Sequence, residues 1–290
     1  MLEGMNLAIL IGAALIAVSI ATSVLSSRLG APLLLIFLAM GLLAGEDGLG
    51  LEFDNTTAAY LIGTLALAVI LFDSGFGTGL RSLRLALAPA VLLATVGVAL
   101  TAAFTAVAAH WLLGFGWIEA LLLGSIIGST DAAAVFFLLR VGGITLRERV
   151  RATLEVESGS NDPMAIFLTL TLVGLAASQE SGADVGWTLL QAFMLQIGFG
   201  TVLGLAGGWL IVWILRRVTF EEGLYPIAIL SLALSLFAVT NMVGGSGFVA
   251  VYLAGIISGN AKLPRTVPLR RFQEGMTWLA QIVMFLTLRS

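Results

Sequence analysis

Long apolar runs separated by short polar breaks fill this chain from end to end. The runs fall at about 5–26, 31–46, 56–75, 84–112, 117–139, 152–178, 187–215, 224–242, 247–260 and 275–290. Many approach the roughly 20 residues that a helix needs to cross a bilayer core. The short period-two segments of a membrane β-barrel do not appear. The pattern therefore predicts an all-α polytopic membrane protein with about ten transmembrane helices. Composition agrees: 59% of residues are hydrophobic and 11% charged, with mean hydropathy +1.06, against about 25% charged in soluble domains. The first run is too long for a signal peptide and lacks a basic leader, Glu3 being its early charge.

Charge adds an orientation. Connections after odd-numbered runs hold Arg28; Arg81 and Arg84; Arg140, Arg147, Arg149 and Arg151; Arg216 and Arg217; and Lys262, Arg265, Arg270 and Arg271. These are thirteen of the 14 basic residues, and the last, Arg289, stands at the chain end. The acidic stretches "EDGLGLEFDN" (46–55) and "SQESGADVG" (178–186) fall on the other side. By the positive-inside rule the N-terminus is expected outside and the odd-to-even connections in the cytoplasm. A net charge of −3 says little about partners, and the chain has no basic stripe with interleaved aromatic residues, so no nucleic-acid partner is expected. With no cysteine, disulfides, cysteine-ligated zinc and thiol catalysis drop out.

Polar residues inside the apolar runs carry the chemistry. Asp162 falls near the middle of the sixth run, and Thr130 and Asp131 near the middle of the fifth. A charge at bilayer centre costs about 2.5–3.5 kcal/mol on insertion scales, so two such positions at one depth point to function more than to packing. The alternative is a protonated pair that only ties helices together. In "GSIIGSTD" (124–131), Gly124, Gly128 and the hydroxyls weaken the fifth helix and predict a break. Pro163 removes a backbone donor just after Asp162 and frees a carbonyl. Ser158 and Asp162 are four apart and share a helix face, with Asn161 beside them. A carboxylate, hydroxyls and carbonyls are hard oxygen ligands that suit an alkali cation and suit zinc poorly. Asp73 is a further intramembrane carboxylate; it either lines an inner approach or caps the helix near the interface.

The stretches "GSTDAAAVFFLLR" (128–140) and "LEVESGSNDPMAIFLTL" (154–170) resemble the monovalent cation/proton antiporters of the NhaP type, the CPA1 group. The likeness is strongest to the bacterial potassium/proton branch associated with cell-volume regulation. "SSRLGAPLLLIFLAMGLLAGEDG" (26–48) and "GSGFVAVYLAGIISGN" (245–260) extend it over essentially the whole chain. The resemblance implies that Asp162 carries cation and proton in turn, that Ser158 and the Thr130 backbone contribute ligands, and that Asp73 lies near the ion. Asn161 and Glu157 would hold the site in shape, and Asp131 would complement the dipole ends of the broken fifth helix. An Asn-Asp pair marks the electroneutral, one-for-one branch. K⁺ is the preferred cation and Na⁺ the alternative, with no cofactor, in a bacterial inner-membrane homodimer that serves volume and pH homeostasis.

The resemblance also implies an inverted-repeat fold of a dozen or more spans. Residues 84–178 would form half of the transport core, with scaffold and dimer helices in 1–83 and 187–290. A second broken helix, a basic residue expected there and a cytosolic tail would lie beyond these residues, making this a C-terminally truncated member. A truncated remnant that does not transport and a passive cation channel are the competing readings. The channel reading would need a filter-like stretch, and none appears. An intramembrane aspartyl protease needs a carboxylate dyad in a Gly-x-Gly-Asp setting, which is missing. A membrane serine protease needs a histidine near Ser160, yet the single histidine, His110, lies at the outer end of the fourth run.

Four smaller expectations follow. Gly200, Gly204 and Gly208 predict a close helix contact, within the chain or at a dimer. "GFGTGL" (75–80) reads as a connection, because no strand-to-helix unit surrounds it. "KLPRTVPLRRFQEG" (262–275) reads as a cytoplasmic linker near anionic headgroups. Trp111, Trp117, Trp187 and Trp278 sit near run ends, as interface anchors do.

Overall fold

A computed structural model describes residues 6, 10, 12–22, 33–44, 55–178, 185–263 and 266–287. Helices are the regular structure throughout those residues: α1 (Gly12–Thr22), α2 (Leu33–Ala44), α3 (Thr56–Gly77), α4 (Leu80–Leu92), α5 (Val98–Leu113), α6 (Trp117–Ile127), α7 (Ala132–Val141), α8 (Glu148–Ser178), α9 (Val185–Arg217), α10 (Leu224–Met242), α11 (Gly247–Asn260) and α12 (Thr266–Thr287). Arg28, Arg265, Arg289 and most of both acidic stretches lie outside the described residues.

Where the structure describes them, the apolar runs are helical. Among the described residues, 5 helices are long and apolar enough to cross a membrane: Thr56–Gly77, Leu80–Leu113, Glu148–Ala177, Leu190–Arg217 and Leu224–Met242. Other apolar helices are shorter, and the predicted fifth span is divided between α6 and α7. Within Leu80–Leu113, α4 and α5 are joined by a π-helical turn at Leu93–Gly97. Pro89 lies one turn earlier and lacks the N–H that an α-helix would use there, so hydrogen-bond register is already disturbed.

Two compact units divide the chain. One holds Met1–Ile70, Ala133–Thr145 and Arg270–Ser290. In it α1 and α2 meet where Thr22 Oγ1 approaches Met40 Sδ at 3.5 Å, with Ser19 and Phe37 buried. The other holds Leu71–Ala132 and Leu146–Leu269 and carries the polar cluster. There α8 contacts α4, the π-turn, α6, α9 and α11. Its neighbours meet it through small or slim residues: Ala86 and Ala90 of α4 pack on Ala152 and Val156 of α8. Val98 packs with Met164 and Phe167, while Ala106, Ala109 and Ala120 join α5 to α6. In lipid, where no hydrophobic gain separates helix from tail, such small side chains allow the close approach that holds helices together.

Glycines bring the closest approaches. A Cβ on Gly200, Gly204 or Gly208 of α9 would stand 2.7 Å from Ser246 O, 2.7 Å from Ala250 Cα or 2.9 Å from Ala254 Cα of α11. That run therefore serves packing inside the chain. The last turn of α3 crosses α11 more tightly still. A Cβ on Gly75 would overlap the Tyr252 carbonyl, one on Gly255 the Phe72 carbonyl, and one on Gly259 the Phe76 carbonyl.

Two readings of the sequence need correction here. "GFGTGL" is not all connection: α3 continues to Gly77, because Gly75 packs on α11 as part of the helix. The basic stretch 262–275 is helical from Thr266 onward, and Leu269 and Gln273 are fully buried. Its charged residues mask a helix with one apolar face, since Arg270, Arg271 and Glu274 remain exposed.

Candidate functional site

The fifth run breaks where its glycines predict. Gly124 lies so close to α5 that a Cβ would overlap the Ala102 carbonyl, which fixes the path of α6. The helix ends at Ile127, residues 128–131 are not helical, and α7 begins at Ala132. A helix end leaves carbonyls without intrahelical donors. The sixth run supplies some of those donors from α8, which passes Pro163 without ending.

Ser158 Oγ donates to the Thr130 carbonyl at 2.9 Å, and Asn161 Nδ2 reaches the same carbonyl at 3.3 Å. Asn161 is fully buried, and Nδ2 also lies 2.8 Å from Thr130 Oγ1 and 2.9 Å from Glu157 Oε1. Thr130 Oγ1 in turn donates toward Glu157, at 3.2 and 3.3 Å from its two carboxylate oxygens. Asn161 and Glu157, one turn apart on α8, thus grip Thr130 from its hydroxyl and its backbone. Asp162 carries a different bond: Ser129 Oγ donates to Asp162 Oδ1, and the same hydroxyl lies 3.2 Å from Asn161 Oδ1. One turn deeper, the Ser125 and Thr169 hydroxyls pair at 2.9 Å. Asp162 is half-buried, whereas Thr130 and Asp131 are exposed.

Sequence reasoning named Asp162, Ser158, Thr130, Asn161 and Glu157, and all five lie in this cluster. Asp131 immediately precedes α7. Asp73 sits in the last turns of α3, half-buried beside Ser74. Ser74 Oγ is 3.0 Å from where a Gly159 Cβ would be, so that turn passes α8 one turn before Asp162. The sequence reading overlooked Ser129, the direct partner of Asp162. Its signal was available: a hydroxyl placed straight after Gly128, where a weakened helix loses its last carbonyl bonds. Tyr252 was also unforeseen; its hydroxyl lies 3.5 Å from Ser160 Oγ, and its ring edge packs against the bare backbone of Gly159. His110 binds the Phe115 carbonyl through Nδ1 at 2.7 Å and stacks on Trp117 at 4.1 Å, which fastens the α5–α6 turn.

The fold and cluster together define a polytopic helical membrane protein whose interrupted helix presents hydroxyl, amide and backbone oxygens beside a carboxylate. Half-helix ends and unwound carbonyls at such a break are the parts from which secondary transporters build ion sites.

The chain belongs to the family described as sodium/hydrogen exchanger, transmembrane, whose pattern matches residues 13–288. It is 47% identical over 288 residues to the K⁺/H⁺ antiporter NhaP of Alkalimonas amylolytica, covering 99% of this chain and 50% of that protein. With the K⁺/H⁺ antiporter NhaP2 of Shewanella sp. (strain ANA-3) it shares 50% identity over 287 residues, again 99% of this chain and 50% of the relative. The chain therefore spans about half the length of these curated relatives. Among solved structures, the sodium proton antiporter MjNhaP1 of Methanocaldococcus jannaschii superposes with a TM-score of 0.82 at 22% identity, over 98% of this chain and 70% of that one. That likeness is one of fold.

Proposed function

We propose that the protein containing these residues exchanges a monovalent cation for a proton across the bacterial inner membrane, with Asp162 binding either ion in turn. The observation that carries the reading is the set of oxygens gathered at the break, where Ser129 meets Asp162 and Ser158 meets the Thr130 carbonyl. A carboxylate removed from water favours a proton, and a cation placed beside it favours the charged form, so one group cannot cheaply hold both. That competition couples the two flows if the loaded site faces each side alternately.

Ser158 and Thr130 supply further oxygen ligands, and Asp73 lies near the ion path. Asn161 and Glu157 hold the break in shape, and Asp131 complements the start of α7. K⁺ is favoured over Na⁺ because both relatives named above are called K⁺/H⁺ antiporters. The transport core includes residues 84–178, as half of an inverted repeat, within a homodimer whose N-terminus lies outside. A non-transporting remnant is the second reading, favoured by the half-length match to relatives.

The test is cation-dependent proton flux in vesicles, recorded with a pH-sensitive dye on the parent and on Asp162→Asn. Flux that responds to K⁺ without a membrane current, and is lost in the variant, supports exchange. A current would point to a channel. Parent-level flux in the variant would sink the assignment of Asp162. Running the same assay on residues 1–290 and on a version extended to the length of these relatives separates a transporter from a remnant.

A further inference from the structure

Ser129 has one hydroxyl proton and two acceptors within reach, Asp162 Oδ1 at short range and Asn161 Oδ1 at 3.2 Å. The second acceptor is held in place. Asn161 is fully buried, and its Nδ2 is committed to Thr130 Oγ1 at 2.8 Å and Glu157 Oε1 at 2.9 Å, so Oδ1 stays turned toward Ser129. It is an amide oxygen, which accepts a hydrogen bond and carries no charge that a cation could displace.

Consider a cation arriving at Asp162. A hydroxyl still donating to Oδ1 would set its positive end against the incoming charge. Rotation about one bond moves that proton onto Asn161 Oδ1 and turns the Ser129 lone pairs toward the cation. No backbone movement is needed, because both acceptors belong to adjacent residues of α8.

We propose that Ser129 is a further cation-binding residue of the exchange site, a hydroxyl whose proton rotates from Asp162 to Asn161 as the cation enters, making its oxygen a ligand. The inference rests on the reading of Asp162 as the exchanging carboxylate. In the empty site Ser129 satisfies Asp162, and in the loaded site it replaces part of the cation's hydration. Removing the hydroxyl costs the loaded site more. Water can reach a half-buried carboxylate as a substitute donor, but a water serving as ligand must be immobilised along with the cation.

The experiment uses the full-length transporter in vesicles at one fixed pH, titrated with KCl and NaCl against choline chloride. Ser129→Ala is expected to raise the half-saturating cation concentration about tenfold, with the maximal rate within about twofold. Ser129→Cys keeps the size but offers sulfur, a poor ligand for a hard cation, and should behave like Ala. Ser129→Thr keeps the hydroxyl and should stay near the parent. A readout independent of transport is thermal stabilisation of detergent-purified protein by KCl over choline chloride, which tracks binding; Ala and Cys should shift it to higher salt. Unchanged or lowered half-saturation in both variants, or a Thr variant no better than Ala, overturns the proposal. Parent-like Ser129→Ala beside an inactive Asp162→Asn removes this inference alone, whereas an active Asp162→Asn removes the reading beneath it.

Discussion

The two faces of α8 are built on opposite plans. Toward the break it presents Glu157, Ser158, Asn161 and Asp162, and contact is made by side-chain hydrogen bonds to an unwound segment. Toward α3 and α11 it presents Gly159 and Ser160, beside a seam where Gly75, Gly255 and Gly259 let helices touch backbone to backbone. Hydroxyls and amides can exchange partners by rotating one bond, whereas packed backbone has no second arrangement of similar energy. The first plan suits a site whose occupant changes, and the second suits the frame that keeps the site in register.

Breaking each side should give opposite signatures. The largest effect is expected from Asp162→Asn, which should reduce proton flux to background while leaving the thermal midpoint near the parent's. A large drop in midpoint would mean that Asp162 belongs to the frame. On the other side, Gly259→Ala drives a methyl into the Phe76 carbonyl and should destabilise by about 3 kcal/mol or more. Protein yield and thermal midpoint measure that loss, and flux per folded molecule should survive. Asn161→Ala tests the boundary between the plans, since it removes the Nδ2 donor that Thr130 Oγ1 and Glu157 Oε1 share, and leaves only the Thr130 hydroxyl on Glu157 and Ser158 on the Thr130 carbonyl. It should cost about 1–3 kcal/mol and lower flux about tenfold, read from melting curves and vesicles together. Thr130→Ala should be mildest, a few-fold slowing, because the carbonyl that Ser158 and Asn161 address remains. Complete loss of flux there would give the Thr130 hydroxyl a larger share than the backbone.

Much of the site was legible in the sequence for one physical reason. Polar groups at membrane depth are expensive, so Thr130, Ser158, Asn161 and Asp162 stand out against leucine and alanine. Glu157 and Asn161 sit four apart, which predicts the bond between them. Ser129 escaped notice because serine is common at helix ends, where its hydroxyl more often bonds nearby backbone. Tyr252 escaped because it lies 92 residues from Ser160, and nothing local ties it to α8. The basic stretch 262–275 was misread because charge density hid the buried positions Leu269 and Gln273.

By itself the sequence determined the solvent, the helical class and the place where a helix must break, since hydropathy, glycine spacing and proline act within a few residues. Tertiary structure alone decided which hydroxyl meets Asp162 and which glycines carry the helix crossings. Those outcomes depend on distances between segments far apart in the chain, set by which small residues let two backbones close together.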